Sequence, residues 1–192
     1  VRYGLTAAVA SYESADVLSE SAALLGRKAK VHIKVDTGMG RIGVRPEETI
    51  EVVKALRSLP NLELAGVFTH FPSADEADRT FTTAQIGLFR KTLDGLKRQG
   101  IPIGIAHASN SGGVLAYPEA DFDAVRPGIM VYGSLPDPTT PATVPTTTTA
   151  RTPQAAGPGR ASMTSSHTTA AITTCGNFMS TPARRSGPFR SG

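Results

Sequence analysis

The sequence contains very little cysteine and no tryptophan. Of its 192 residues only Cys175 is a cysteine, and four are histidines. One cysteine excludes a disulfide within the chain, and it also excludes a zinc site built from several cysteines. The sequence has no apolar run near the roughly 20 residues that span a bilayer, and its first residues do not form a signal peptide. We therefore expect a cytoplasmic protein with no membrane partner.

Acidic residues are missing from the last part of the chain. Residues 1–137 carry fifteen Lys and Arg and all sixteen Asp and Glu, whereas residues 138–192 carry five Arg and no acid. The net charge of +4 therefore does not describe a basic face, and we expect no nucleic-acid partner. The last segment is rich in Thr and Pro and has no hydrophobic periodicity. We expect it to be disordered or translated from a shifted frame.

Short β-type runs alternate with helical stretches over residues 6–133. The runs are at 6–10, 30–35, 62–71, 101–109 and 124–133. This alternation predicts an α/β fold with a parallel sheet, and the spacing is that of a TIM-type (β/α)8 barrel. Five units are too few to close eight strands. We therefore expect a partial barrel over residues 1–135 and a low-complexity tail over 136–192.

Two glycine-containing turns follow the last two predicted strands. They are SNSGG at 109–113 and RPGI at 126–129. A Ser hydroxyl, an Asn amide and exposed backbone N–H groups suit a phosphate, and barrels of this type bind phosphate with their last two loops. The alternative for SNSGG is an ordinary turn at the start of a helix.

Charged and aromatic-ring side chains follow the second and third predicted strands. In KVDTGMGR at 34–41, Lys34 and Arg41 look like two buried cations, which would need charged or hydrogen-bonding partners. The alternative is a loop with surface ion pairs. In THFPSADE at 69–76, His70 is either a core histidine or a neutral ring packed against a flat ligand.

Four segments together resemble the alanine racemase family of pyridoxal-phosphate enzymes, which are of fold type III. They are HIKVDTGMGRIGV at 32–44, GVFTHFPSADE at 66–76, HASNSGG at 107–113 and VRPGIMVYG at 125–133. Their order and spacing agree with that family. The resemblance covers roughly residues 1–135 and corresponds to strands four to eight of the family barrel. It implies that the N-terminal strands and the C-terminal β domain of the family are missing.

The resemblance implies a role for eight residues in binding substrate or pyridoxal 5'-phosphate. Arg41 would face the substrate carboxylate, and Lys34, carbamylated in many family members, would support Arg41. The ring of His70 would stack beneath the pyridine. The residues implied at the cofactor phosphate are Ser111, Gly128 and Ile129, with Asn110 adjacent. Arg126 would hydrogen-bond the pyridine nitrogen.

The implied partner of the pyridine nitrogen has a chemical consequence. A guanidinium stays protonated and can only donate, so the ring nitrogen opposite Arg126 must remain an unprotonated acceptor. The ring is then a poorer electron sink, which favours quick reprotonation over side reactions. The family activity implied is interconversion of L-alanine and D-alanine by a homodimer that supplies D-alanine for peptidoglycan.

Two catalytic groups of the family have no counterpart at the matching positions. Racemisation there uses a Schiff-base lysine and a tyrosine from the partner subunit as bases on opposite faces of the substrate. We therefore assign no catalytic residue to this chain and expect the isolated chain to be inactive. Open sheet edges also predict poor solubility.

Three other classes of protein remain open from the residues. One is a non-catalytic barrel that binds pyridoxal phosphate in cofactor homeostasis. Another is a phosphate-binding barrel enzyme such as a sugar-phosphate isomerase or aldolase, which explains SNSGG and RPGI but not the other two segments. Within the family, a serine or broader amino-acid racemase is the third.

Overall fold

The computed structural model describes residues 1–136 and the backbone of residues 171 and 172. The strands are β1 (Ala7–Val9), β2 (Ala29–Lys34), β3 (Leu62–Phe68), β4 (Ile105–His107), β5 (Ala124–Val125) and β6 (Ala171–Ile172). The α-helices are α1 (Tyr12–Leu24), α2 (Thr49–Arg57), α3 (Thr80–Arg98) and α4 (Ser111–Ala116). Two 3-10 helices follow, at Pro118–Ala120 and Ile129–Tyr132.

All six strands form one parallel sheet in chain order, from β1 to β6. Each strand from β1 to β4 is followed by a helix that returns the chain to the next strand, which is the repeating βα unit of a barrel. This confirms the predicted α/β class with a parallel sheet. In such a sheet the carboxyl ends of all strands lie along one edge.

The helices begin and end where local chemistry directs. Ser11 caps α1, and its hydroxyl accepts from the backbone N–H of Ser14 while the Ser14 hydroxyl accepts from the N–H of Ser11. Gly26, which has φ of +59°, follows the end of α1. Four large apolar side chains of α3 are buried and share one face of the helix. They are Ile86, Phe89, Leu93 and Leu96.

The hydrophobic core lies between the sheet and the helices. Val31, Ile33 and Val35 alternate along β2 and its end, and all three point into the core with Val53 and Phe89. The intervening residues of β2 are the polar Lys30, His32 and Lys34. Because side chains alternate across a strand, these three lie on the opposite side, which is the inside of a barrel.

The structure differs from the sequence prediction at the end of the sheet. The fourth run is a strand only over Ile105–His107, and the fifth only over Ala124–Val125. Pro127 lacks a backbone N–H, so it cannot continue the ladder, and the chain turns into a 3-10 helix at Ile129–Tyr132.

One further strand lies in the part of the chain where the sequence predicts a low-complexity tail. Ala171 and Ile172 pair in parallel with β5. The edge of β5 presents unpaired backbone groups, and a short apolar pair satisfies them. Otherwise the expectation of disorder concerns residues that lie outside the described part. Within that part no helix has the length and apolar character needed to cross a membrane.

Gly104 provides a steric test of the fold. Its φ is +61°, and a Cβ there would lie 2.1 Å from the backbone oxygen of Ala65 in β3. We expect Gly104→Ala to lower the free energy of unfolding by about 3 kcal/mol or more. The new side chain would strain the backbone of residue 104 at its positive φ, and the backbone of Ala65 would also have to move. Gly100→Ala is the matched control, since its φ is +66° with nothing within 4 Å. It should cost about 1 kcal/mol. Equal losses in urea denaturation would contradict the close approach.

Candidate functional site

The carboxyl edge of the sheet brings the predicted site residues together. Backbone hydrogen bonds extend the ladder past the strand ends, from Val35 N–H to Phe68 O (2.7 Å), Thr69 N–H to His107 O (3.2 Å) and Arg126 N–H to Ser109 O (2.8 Å). Lys34 therefore lies at the end of β2, His70 at the end of β3 and Arg126 at the end of β5, along the same edge of the sheet.

The guanidinium of Arg126 is held by three acceptors from the two strands before it. Its Nη2 donates to the backbone oxygens of Thr69 (2.7 Å) and Ala108 (2.8 Å), and its Nη1 bonds His107 Nδ1. The guanidinium also lies over the Phe68 ring, 5.4 Å from its centroid. A planar, permanently charged donor group is thereby fixed in orientation.

Two histidines continue this network into the barrel. His107 Nε2 lies 2.8 Å from His32 Nδ1. Because a guanidinium only donates, His107 Nδ1 must accept, so the proton of the neutral ring is on Nε2. His107 then donates to His32, whose own proton is on its Nε2. A Cβ at Gly66 would lie 2.7 Å from that nitrogen, so glycine makes room for the His32 ring.

Both histidine rings are neutral. Burial, Arg126 and His32 lower the pKa of His107 to about 3. Burial and Arg126 also lower the pKa of His32. The His107 ring stacks on Phe68 at 9° and 5.0 Å between centroids. The two rings and the guanidinium therefore form one connected unit that joins β2, β4 and the end of β5, with the Phe68 ring of β3 stacked against it.

His70 is a half-buried neutral ring at the end of β3. Burial and the nearby cations Arg126, Arg41 and Lys34 together lower its pKa to about 4. Three cations thus act on a single imidazole. A neutral ring at this position is compatible with both sequence interpretations, a core histidine and a ring packed against a flat ligand.

Lys34 is fully buried, with 2% of its surface exposed. Its Nζ donates to the backbone oxygen of Val35 (3.0 Å) and lies 5.9 Å from the Phe68 ring centroid. Burial lowers the Lys34 pKa, and Arg126 and Arg41 add to this, while Asp36 opposes it. The neutral form of the Lys34 amine is therefore more populated near neutral pH than that of an ordinary lysine.

The expectation that Arg41 is also buried is wrong. Arg41 is exposed, in the loop over residues 36–43. A backbone bridge between Val35 and Val44 closes this loop, and Asp36 Oδ1 accepts from the N–H groups of Gly38 and Gly40, each at 3.1 Å. The loop therefore projects from the sheet and carries Arg41 to the surface beside the site.

The two predicted phosphate turns are adjacent. A Cβ at Gly128 would lie 3.6 Å from Ser111 Oγ, and that hydroxyl accepts from the Met130 N–H at 3.3 Å. Gly128 and Ile129 are exposed. Asn110 has a different task, because its side chain accepts from the Gly113 N–H and donates to the Phe71 oxygen. It caps α4 and ties the turn to β3's following loop.

Sequence reasoning missed three residues of this region, His32, Phe68 and Gln85. His32 carries a signal that was available, because it alternates with Lys30 and Lys34 on the polar side of a strand. Gln85 is 1% exposed on the apolar face of α3. Its position four residues before Phe89 marks that face. The ring stacking of Phe68 has no local sequence signal.

Comparison with known proteins supports one family. Residues 1–136 match the family model described as alanine racemase, N-terminal domain. The chain is 47% identical over 135 residues to an alanine racemase of Halothermothrix orenii, covering 70% of this chain and 36% of the relative. It is 44% identical over 137 residues to one from Methanococcus maripaludis, with coverage of 71% and 37%. The chain thus spans little more than a third of these relatives.

Solved structures show the same fold. The alanine racemase of Clostridium difficile 630 in complex with cycloserine superposes with a TM-score of 0.69 at 38% identity, over 71% of this chain and 38% of that chain. An alanine racemase from Streptomyces coelicolor A3(2) superposes with a TM-score of 0.66 at 31% identity, with coverage of 72% and 37%.

The depressed histidine pKa values predict acid sensitivity. In the folded chain the pKa is about 4 for His70 and about 3 for His107, whereas an unfolded histidine titrates near 6.5. As pH falls, the unfolded chain therefore binds protons before the folded chain does. The contribution of these two neutral histidines to the free energy of unfolding is thus fully present above pH 6.5 and is lost as pH falls toward 4. We expect the free energy of unfolding, measured by urea denaturation, to fall by on the order of a few kcal/mol between pH 7 and pH 4.5.

Imidazole 15N NMR provides the direct check. His107 should be neutral at pH 5.5 with its proton on Nε2, and the same resonance in urea-unfolded chain should titrate near 6.5. A His107 ring that titrates at its ordinary pKa in the folded chain would contradict the network.

Proposed function

Because the chain belongs to the alanine racemase family, we propose that it carries the pyridoxal 5'-phosphate site of an enzyme that interconverts L-alanine and D-alanine. The observation that carries this proposal is the fixed guanidinium of Arg126 beside the neutral ring of His70. The relatives described above support alanine as the substrate.

The residues present fit the cofactor. Ser111 Oγ faces the space that a side chain at Gly128 would fill, which leaves backbone and hydroxyl groups open to a phosphate. Asn110 would act through its cap on α4, since both polar atoms of its side chain are engaged in the fold. Exposed Ile129 would contribute its backbone. The cationic groups Arg126 and Arg41, which both act on His70, would attract the anion.

Arg126 would determine the protonation state of the pyridine nitrogen. Pyridoxal phosphate supplies an electron sink when a proton leaves the α carbon of an amino acid. A guanidinium held by Thr69, Ala108 and His107 offers only donors, so it would keep the opposite nitrogen unprotonated. Arg126 would thereby limit electron withdrawal and favour return of the proton. The neutral His70 would offer its ring face to the pyridine.

Lys34 would become an anion through carbamylation. Its buried amine, with a lowered pKa, can add carbon dioxide to form an N–C bond and release one proton. The resulting carbamate would be an acceptor for the Arg41 guanidinium and would draw the exposed loop toward the site. Arg41 would then face the substrate carboxylate.

The whole enzyme would require groups outside the matching residues. We propose that a Schiff-base lysine and a tyrosine from a partner subunit supply the two proton transfers, and that the enzyme is a cytoplasmic homodimer that provides D-alanine for peptidoglycan. No catalytic base is assigned to this chain, and the chain by itself should show no turnover above free pyridoxal phosphate in a racemase assay.

A chimera tests the racemase proposal. Residues 1–136 replace the matching segment of the Clostridium difficile racemase, and L-alanine to D-alanine turnover is measured. We expect activity within about tenfold of the parent enzyme, since the scaffold and site residues correspond. The host without the segment is the control. A chimera that folds and binds cofactor but does not racemise alanine would refute the proposal.

A phosphate-dependent binding experiment tests the cofactor site in the chain itself. We expect pyridoxamine 5'-phosphate to bind more tightly than pyridoxamine, and Ser111→Ala to weaken the former about tenfold through loss of one charge-assisted hydrogen bond. Ser58→Ala is the matched control, since the Ser58 hydroxyl bonds only Ala55 O at the end of α2. Equal affinity for the phosphorylated and unphosphorylated amine would contradict the site.

A further inference from the structure

Gln85 is a buried amide on a helix face whose other large buried side chains are apolar. It is 1% exposed on α3, and it shares the buried face with Ile86, Phe89 and Leu93. A buried amide requires hydrogen-bond partners, and an apolar side chain would satisfy helix packing without them. The amide must therefore be explained by what it touches.

Its contacts join two loops of the site. Gln85 Nε2 lies 3.2 Å from Thr37 Oγ1 and 3.4 Å from the backbone oxygen of His70. A carbonyl only accepts, so the nitrogen of the amide must face His70, which settles its orientation. Thr37 Oγ1 lies 2.7 Å from Thr69 Oγ1, and both hydroxyls are buried. We refer to Thr37, Thr69 and Gln85 as the amide clamp.

The amide clamp reaches the main chain around three proposed binding residues. Thr37 belongs to the loop over residues 36–43 that carries Arg41. Gln85 holds the backbone of His70 directly. The backbone oxygen of Thr69 accepts from Arg126 Nη2 at 2.7 Å.

Gln85 Oε1 has no hydrogen-bond partner among the described residues. An unsatisfied buried acceptor opposes folding, so the amide does not maximise stability at this position. The hydrogen bonds of this side chain are all made by its donor nitrogen, Nε2, to Thr37 and His70. Groups that are retained against stability are typical of sites where geometry matters for function.

We propose that Gln85 is a positioning residue. From the buried face of α3 it fixes the Arg41 loop and the His70 backbone relative to Arg126. This inference rests on the proposed cofactor site for its functional consequence. The clamp itself is a structural claim, so the two can fail separately.

Gln85→Met tests the clamp in the full chain. Methionine has a similar length and fills the same space but donates no hydrogen bond. We expect amide hydrogen exchange of residues 37–41 and 69–71 to accelerate about tenfold, with little change in the rest of the chain. Pyridoxamine 5'-phosphate should bind about tenfold more weakly.

Thr92→Val is the matched control on the same helix. Thr92 is buried and its hydroxyl donates only to Leu88 O within α3, at 2.9 Å. This variant should alter melting temperature by a similar amount while leaving loop exchange and binding unchanged. Gln85→Glu serves as a second variant, since a carboxylate at this position faces the His70 oxygen without a donor and should reproduce the effect of Gln85→Met.

The outcomes separate the clamp from the proposed function. Local exchange unchanged in Gln85→Met and Gln85→Glu, or accelerated equally in Thr92→Val, would overturn the clamp. Accelerated local exchange in a chain that binds no pyridoxamine 5'-phosphate would confirm the clamp and refute the cofactor site. Accelerated exchange with unaltered binding would overturn the positioning role.

Discussion

The half-buried guanidinium of Arg126 is the constraint on which the site depends. It cannot lose its charge, so the fold must supply acceptors where it lies. Thr69, Ala108 and His107 supply them from the ends of β3 and β4. These acceptors converge only because Phe68 pairs with His107 and His107 with Ala124 in the sheet. A shift of one residue would turn His107 to the helix side and leave the cation unsolvated.

The order of strands and helices was predictable because the spacing of apolar residues along the chain differs between the two. The buried face of α3 and the apolar side of β2 follow directly from periods of 3.6 and 2 residues. Strand length near the carboxyl edge was not predictable in the same way. Residues 128–133 are apolar enough for a strand, yet Pro127 and the exposed Gly128 lead into a 3-10 helix. The strand Ala171–Ile172 depends on an available edge of β5, which is a tertiary property.

The site was predictable where polar residues directly follow a strand. Lys34, His70 and Arg126 fall there, and the sheet geometry then brings them together. Arg41 does not, because it lies seven positions after Lys34, in a loop that returns to Val44 by a backbone bridge from Val35. Gln85 lies on a helix that the strand rule does not cover. Its involvement follows from tertiary contact with Thr37, 48 positions away in the chain.

Cationic side chains predominate around His70 at this edge of the sheet. The charged groups that depress the His70 pKa, Arg126, Arg41 and Lys34, are all cations. Asp36 opposes them at Lys34, but its carboxylate is already bound by the N–H groups of Gly38 and Gly40. Protein groups therefore balance the positive potential only in part. An anion bound as proposed above would reduce the repulsion between Arg126 and Arg41, so part of the free energy lost in assembling them would return as binding free energy. The same arrangement would then limit stability and favour binding.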